Sequence, residues 1–175
     1  MDIFEVFEKR YSYRGAYLDK PVPQADLVRI VDAGLKAPSG CNAQTTTFVI
    51  VSDPGLLAEM RKIHSMKAVQ DAHAIIACVT ANKPKPVYEK ESFEVEDCAA
   101  AVENMLLAIS ALGYASVWID GHLRKEGVAE RINVLLGIPA DRSVRIILPV
   151  GVPAAEGERR TKKPFGARAW FNRHG

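Results

Sequence analysis

Four short apolar runs alternate along the chain with segments whose apolar residues recur every three or four positions. The runs are Phe48-Val-Ile-Val51, Ala74-Ile-Ile-Ala-Cys-Val-Thr80, Ala115 to Ile119 and Val144 to Val150. Runs of this length, rich in β-branched residues, read as buried strands. Between them lie helical patterns. Leu27, Ile30, Val31, Gly34 and Leu35 fall at i, i+3, i+4, i+7 and i+8 of an amphipathic helix that Pro38 stops. Leu56 to Ile63 form a further helix, Val95 to Leu112 the longest, and Val128 to Leu135 another. Ile3, Val6 and Phe7 open the chain with a short helix ending near Arg10. Gly113 and Gly137 read as left-handed C-terminal caps, and the prolines of 82–87 as a loop. Alternation of this kind, taken alone, predicts a layered sheet of parallel strands.

The 175 residues, 48 % of them hydrophobic, suffice for one domain spanning 1–175, with no repeat or linker to divide it. The formal net charge of +2 is too small for a nucleic-acid binder, which needs a concentrated basic stripe. The nearest approach is Arg159, Arg160, Lys162 and Lys163, enough to meet one phosphate. Cys41, Cys78 and Cys98 are odd in number and widely spaced, and His64, His73, His122 and His174 are equally scattered. No disulfide framework and no metal site are therefore expected, and a reducing, cytoplasmic compartment is the simplest reading. The opening MDIFEVFEKR lacks the apolar core of a signal peptide. No apolar run approaches the ~18 residues of a membrane helix, so no membrane partner is expected.

Three further segments carry chemistry. In an extended Arg10-Tyr-Ser-Tyr-Arg14, alternate residues share a side, which sets Arg10, Ser12 and Arg14 together. Two guanidiniums flanking a hydroxyl suit a phosphate, though the same spacing fits a solvated basic turn. Ala37-Pro-Ser-Gly-Cys-Asn-Ala-Gln44 links a helix to a strand through small polar residues. Gly40 permits close backbone approach to a ligand, and Asn42 and Gln44 offer the paired donors and acceptors of an imide edge. An ordinary connection would look similar. Trp118-Ile-Asp-Gly121 lies at the carboxyl end of the third strand, where α/β proteins place ligands, or it is a plain strand terminus. There is no GxGxxG after a strand, no P-loop, no GxSxG and no HExxH.

In their order and spacing these features resemble the nitroreductase family over essentially the whole chain. The residues that carry the resemblance are Arg10, Ser12 and Arg14, then Ala37-Pro38-Ser39 through Asn42 and Gln44. Next comes the long helix closing in Ala108-Ile-Ser-Ala-Leu-Gly113, then Gly151-Val-Pro153 and the basic tail from Arg159. The resemblance implies an α+β, three-layer fold with a central mixed, mostly antiparallel sheet flanked by helices. It also implies a homodimer whose C-terminal extension lies on the partner, with FMN bound at each of two interface sites. By position, Arg10, Tyr11, Ser12, Arg14, Arg160 and Lys162 hold the phosphate and ribityl chain. Pro38, Ser39, Gly40 and Asn42 reach the flavin from the partner subunit. Trp118, Ile119, Asp120 and Gly121 pass over the isoalloxazine, with the Asp120 N–H near its N5, and Lys67 stands near the pyrimidine edge.

The implied reaction is ping-pong hydride chemistry. NADH or NADPH reduces the flavin and leaves, and a nitroaromatic, quinone or related small electron acceptor takes its place; the cofactor supplies the reactivity and the protein orients it. No catalytic side chain is implied. A flavin-dependent dehalogenase, a flavin-consuming synthase and a flavin-binding protein without turnover are the alternatives, and a phosphate-binding interaction module is what remains without the resemblance. Two departures bear on substrate choice. Gln44-Thr45-Thr46 stands where many relatives carry Gln-Pro-Trp, and the stretch between the second strand and the long helix is short.

Overall fold

Strand β2, Ala74–Ala81, is apolar except for Thr80 and is buried at every position but the last, so it needs cover on both faces. In the computed structural model, which describes residues 2–175, it is the middle strand of a three-stranded sheet. Its neighbours are β1, Thr47–Val51, and β3, Arg142–Val150. Ala74, Ile76 and Cys78 turn to one face and pack with Leu27 and Ile30 of α2 (Gln24–Leu35) and Val102 and Met105 of α5 (Glu94–Ala111). Ile75 and Ala77 turn to the other, against Leu57 and Met60 of α3 (Pro54–Ile63) and Ile132 of α6 (Val128–Leu136). The period of two along β2 thus builds three layers, helix pair on sheet on helix pair. This is the α+β architecture that the resemblance implied.

Both strand pairings are antiparallel, which corrects the parallel arrangement suggested by strand–helix alternation alone. Val51 pairs with Ile75 and Ala81 with Arg142, so each connection starts and finishes at the same end of the sheet. One helix would carry the chain to the opposite end. After β1 the chain goes out along α3, about 15 Å at 1.5 Å per residue, and returns through residues 64–73. That return contains a four-residue helix, α4 (Lys67–Gln70), too short to leave a periodic signal in the sequence.

The run Ala115 to Ile119 is not a ladder strand. Ser116 bridges Ser12 in parallel, while Ala115 bridges Gly151 and Ile119 bridges Ile147 in antiparallel fashion. Three different partners share five residues, so no consecutive pairing develops, although the segment is extended and buried at four of them. The Ser12–Ser116 pair is an isolated parallel bridge outside the antiparallel three-stranded sheet. Between Cys78 and Val79 the register with β3 slips, leaving Arg145 as the extra residue of a bulge.

Helix ends follow local chemistry. The Asp2 carboxylate accepts from Phe4 N–H at 2.7 Å and Glu5 N–H at 3.1 Å, a capping box opening α1 (Ile3–Lys9). Asp53 caps α3, with Pro54 at its first position. Gly113 (φ 82°) and Gly137 (φ 63°) adopt the left-handed conformation expected of C-terminal caps. Among the described residues, no helix is long and apolar enough to cross a membrane.

Candidate functional site

The segment leaving α1 is held in extended form at Ser12, where the neighbouring Tyr13 N–H donates to the Ser116 carbonyl at 2.8 Å. Side chains then alternate. Tyr13 turns inward and packs with Tyr17, ring centroids 5.3 Å apart, and burial pushes the Tyr17 hydroxyl far above its ordinary range, with Tyr13, Asp71 and Tyr11 adding to the shift. Arg10, Ser12 and Arg14 line one cavity of about 950 Å³, as their spacing predicts. That volume is at the upper end of the roughly 300–1,000 Å³ of small-molecule sites.

The opposite wall comes from the far end of the chain. Residues 157–160 and Lys162 face the Arg10–Arg14 segment, and Tyr11 lines the cavity beside them. Five cationic side chains meet here, those of Arg10, Arg14, Arg159, Arg160 and Lys162, against the carboxylates of Glu8 and Glu158. Three of the five are engaged by other groups, Arg14 through an Nη1 hydrogen bond to the Ser12 carbonyl at 3.3 Å. Arg10 Nε lies 3.5 Å from Glu103, and Arg159 donates to the Glu8 carbonyl at 2.6 Å while its guanidinium sits 4.7 Å from the Tyr11 ring centroid. Among the described residues, Arg160 and Lys162 have no ion-pair partner. A concave surface with surplus positive charge and a hydroxyl is a site for a phosphate-sized anion. Arg159 and Gly157 were not singled out by motif; only the basic cluster pointed toward Arg159.

Pro38 and Ser39 line a separate groove of about 360 Å³, between α2 and α5, with Gln44, Thr45, Phe48 and Asp97. It shares no residue with the first cavity. The loop beyond is strained. Gly40–Asn42 form a 3-10 turn, and Cys41 (φ 50°), Asn42 (φ 56°) and Gln44 (φ 50°) all sit in the left-handed region. Each such non-glycine residue costs about 1–2 kcal/mol, with asparagine the best tolerated. Strain of this density clusters at ligand sites and switches. A Cβ at Gly40 would meet Phe93 at 2.3 Å, so the absent side chain makes room for a ring of this same chain. Asn42 is exposed and lines neither cavity.

Trp118 packs on the α2/α5 side of the core, and Ile119 exchanges backbone hydrogen bonds with Ile147 at 3.2 and 2.9 Å. Asp120 accepts from Arg124 at 2.9 Å, and Gly121 is exposed. The segment follows directly on Ser116, which bridges Ser12 on the cavity wall, but does not itself line the cavity. Lys67 is elsewhere, paired with Asp71 at 2.6 Å on the exposed side of α4. Just past Gly121, His122 lies against His64, ring centroids 4.0 Å apart. Burial, then His122 and Lys125, pull the His64 imidazole down to about 4. Its Nδ1 accepts from the Met66 N–H at 3.3 Å, which places the proton of the neutral ring on Nε2. Nothing in the spacing of the four histidines announced this pair.

The family model for the nitroreductase family matches residues 7–74 and 64–152. A protein of Methanothermobacter thermautotrophicus, provisionally named NADH dehydrogenase/NAD(P)H nitroreductase, is 33 % identical over 156 residues, covering 88 % of this chain and 78 % of that one. A solved structure from Bacteroides thetaiotaomicron under the same provisional name superposes with a TM-score of 0.82 at 25 % identity, over 97 % of this chain and 96 % of that one. A nitroreductase with bound FMN from Bacteroides fragilis superposes with a TM-score of 0.74 at 27 % identity, over 93 % and 95 %.

Proposed function

The chain belongs to the nitroreductase family and is an oxidoreductase, and from that premise we propose that it binds FMN and uses NADH or NADPH to reduce nitroaromatic, quinone or related small acceptors. The observation that carries the reading is the cavity where Arg10, Ser12 and Arg14 face Arg160 and Lys162. Its residues fit the cofactor: the cations and the hydroxyl match a phosphomonoester, and the volume admits a molecule of that size. When bound, FMN supplies the two-electron chemistry between the nicotinamide and the acceptor.

The work left to this chain is binding and orientation. Arg10, Arg14, Arg160 and Lys162 hold the phosphate, with Ser12 donating its hydroxyl and Tyr11 supporting the wall. Trp118, Ile119, Asp120 and Gly121 lie along the ring, continuing from the bridge at Ser116. Pro38, Ser39, Gly40 and Asn42 stand apart from the cavity of their own chain, which supports a homodimer in which they serve the partner's flavin. Lys67 joins the set by exchanging Asp71 for the pyrimidine edge. The exposed Trp170 (41 %) and Phe171 (84 %) supply the apolar surface for the C-terminal extension onto the partner. A cytoplasmic setting supplies the nicotinamide.

An absorption spectrum of the purified protein tests the reading. A flavin spectrum bleached anaerobically by NADH or NADPH is expected. A colourless protein that takes up no added FMN rejects it, and a yellow protein that neither nicotinamide bleaches leaves a flavin-binding protein without turnover.

A further inference from the structure

We propose that Asp97 and Arg142 are positioning residues that hold the Ser39–Thr45 loop in its left-handed form, one gripping each end. What the loop touches rests on the flavin reading above; the clamp itself rests on geometry.

Residues 41, 42 and 44 are all left-handed, and only one of them is asparagine. Four hydrogen bonds lie within the loop. Asn42 N–H donates to the Ser39 carbonyl and Ala43 N–H to the Gly40 carbonyl, both at 2.9 Å, Gln44 N–H donates to the Ser39 hydroxyl at 3.1 Å, and the Gln44 side-chain amide donates to the Asn42 carbonyl at 3.3 Å. The anchors at its two ends come from outside. Asp97, in the first turn of α5 and 7 % exposed, accepts from the Gly40 N–H at 2.8 Å. Phe93, one turn earlier, lies against the bare Gly40 Cα. At the other end the Arg142 guanidinium donates to the Thr45 carbonyl at 2.6 Å and to the Val79 carbonyl at 3.2 Å, tying the loop to β2. Asn82 bonds the Ala140 and Arg142 carbonyls at 3.0 and 3.2 Å and steadies the arginine's own backbone.

Both anchors are charged, largely withdrawn from water and bonded to backbone rather than to each other. Withdrawing a carboxylate and a guanidinium from water is costly, and apolar residues would fill the same space more cheaply. What the charges supply is direction. A carboxylate accepts a backbone N–H, and the Nη2 group of the guanidinium donates to two carbonyls, each as a charge-assisted bond of defined geometry. The start of an 18-residue helix further favours the Asp97 carboxylate. Gripped at 40 and 45, the residues between cannot relax to right-handed φ without breaking one end.

Cys41 reports on the loop directly, because it is exposed while Cys78 and Cys98 are buried and serve as internal controls. The experiment measures the iodoacetamide alkylation rate of each cysteine, and the rate of FMN release, in the holoprotein and in Asp97→Ala, Asp97→Asn, Arg142→Met and Arg142→Lys. Asp97→Ala and Arg142→Met should change Cys41 alkylation by about tenfold, as loss of one charge-assisted bond allows, and leave Cys78 and Cys98 protected. Asp97→Asn, which keeps an acceptor oxygen, should return most of the parental rate, and Arg142→Lys part of it. Should Asp97→Ala fail to fold, Arg142→Met carries the same test from the other end. Unchanged Cys41 rates overturn the clamp, as does a change shared by all three cysteines. An altered Cys41 rate with unchanged FMN release upholds the clamp and removes this loop from the flavin site.

Discussion

The Tyr11 hydroxyl accepts a hydrogen bond from the Gly157 N–H at 2.9 Å, across 146 residues of chain. A Cβ at residue 157 would lie 2.8 Å from the Tyr11 ring, so the bond exists because that residue is glycine. This contact, with Arg159 over the same ring, docks one wall of the cationic cavity against the other.

Tyr11→Ala removes a hydrogen bond worth about 1 kcal/mol and a cation–π contact of roughly 0.5–1 kcal/mol. FMN affinity should fall by roughly tenfold, and Gly157→Ala should weaken it from the opposite side. Titration of the apoprotein by flavin fluorescence measures both. Parental affinity in both variants would show that docking these walls is irrelevant to the cofactor.

Arg10→Ala combined with Arg160→Ala should release flavin while the fold stays intact. Both residues line the cavity, and Arg160 has no competing carboxylate among the described residues. Two lost charge-assisted contacts at about 1.5–3 kcal/mol each weaken binding by at least a hundredfold. Circular dichroism checks the fold, and unchanged flavin content rejects the phosphate assignment.

Truncation after Gly166 should weaken dimerisation and flavin binding together. Phe165 and Phe171 meet only loosely, ring centroids 6.1 Å apart, and both remain mostly exposed within the chain. Covering Phe171 against a partner is worth roughly 1.5–3 kcal/mol. Sedimentation of a flavin-loaded, active monomer at micromolar concentration would sink the idea.

Much of this molecule was legible beforehand, and the misses have physical causes. The apolar period placed α2, α5 and α6 to within a few residues, because burial on one face imposes that period. The strands read as 48–51, 74–80 and 144–150 appear as 47–51, 74–81 and 142–150 for the same reason. Strand direction did not follow, since apolar runs are identical in parallel and antiparallel sheets; the return path through 64–73 decides it. Arg10, Ser12 and Arg14 were found by alternation in an extended segment. Asp97 and Arg142 were not, because a lone charge on a helix or strand looks the same whether it faces water or grips a loop. Asp97 did carry one clue: it precedes Ala101 and Met105 at intervals of four, on the buried side of α5.

His64 predicts an acid-sensitive fold. Well above pH 6.5 its ring is neutral in both folded and unfolded chains and contributes no pH dependence. Between there and about 4, the unfolded chain binds a proton that the folded chain refuses, so stability falls as pH falls, by up to about 3 kcal/mol. His122 and Lys125, which face the ring, oppose its protonation in the same direction. Thermal melts at pH 7 and pH 5 should show a larger drop for the parent than for His64→Gln. Equal drops would assign the acid sensitivity to other groups.

Cys41→Ser should retain flavin and turnover, because no step assigned to this chain needs a thiol. Its left-handed backbone is as accessible to serine as to cysteine. Steady-state NAD(P)H oxidation within about twofold of the parent is the expected result, and a lost turnover with flavin retained assigns the thiol a chemical role.

The cationic cavity has one wall from residues 7–15 and the other from residues 157–162, whereas the sheet is complete at Val150. All three ladder strands thus lie between the two stretches that wall the cavity. A chain cut between Val150 and Gly157 would keep every strand of the sheet and lose one side of the cationic cavity.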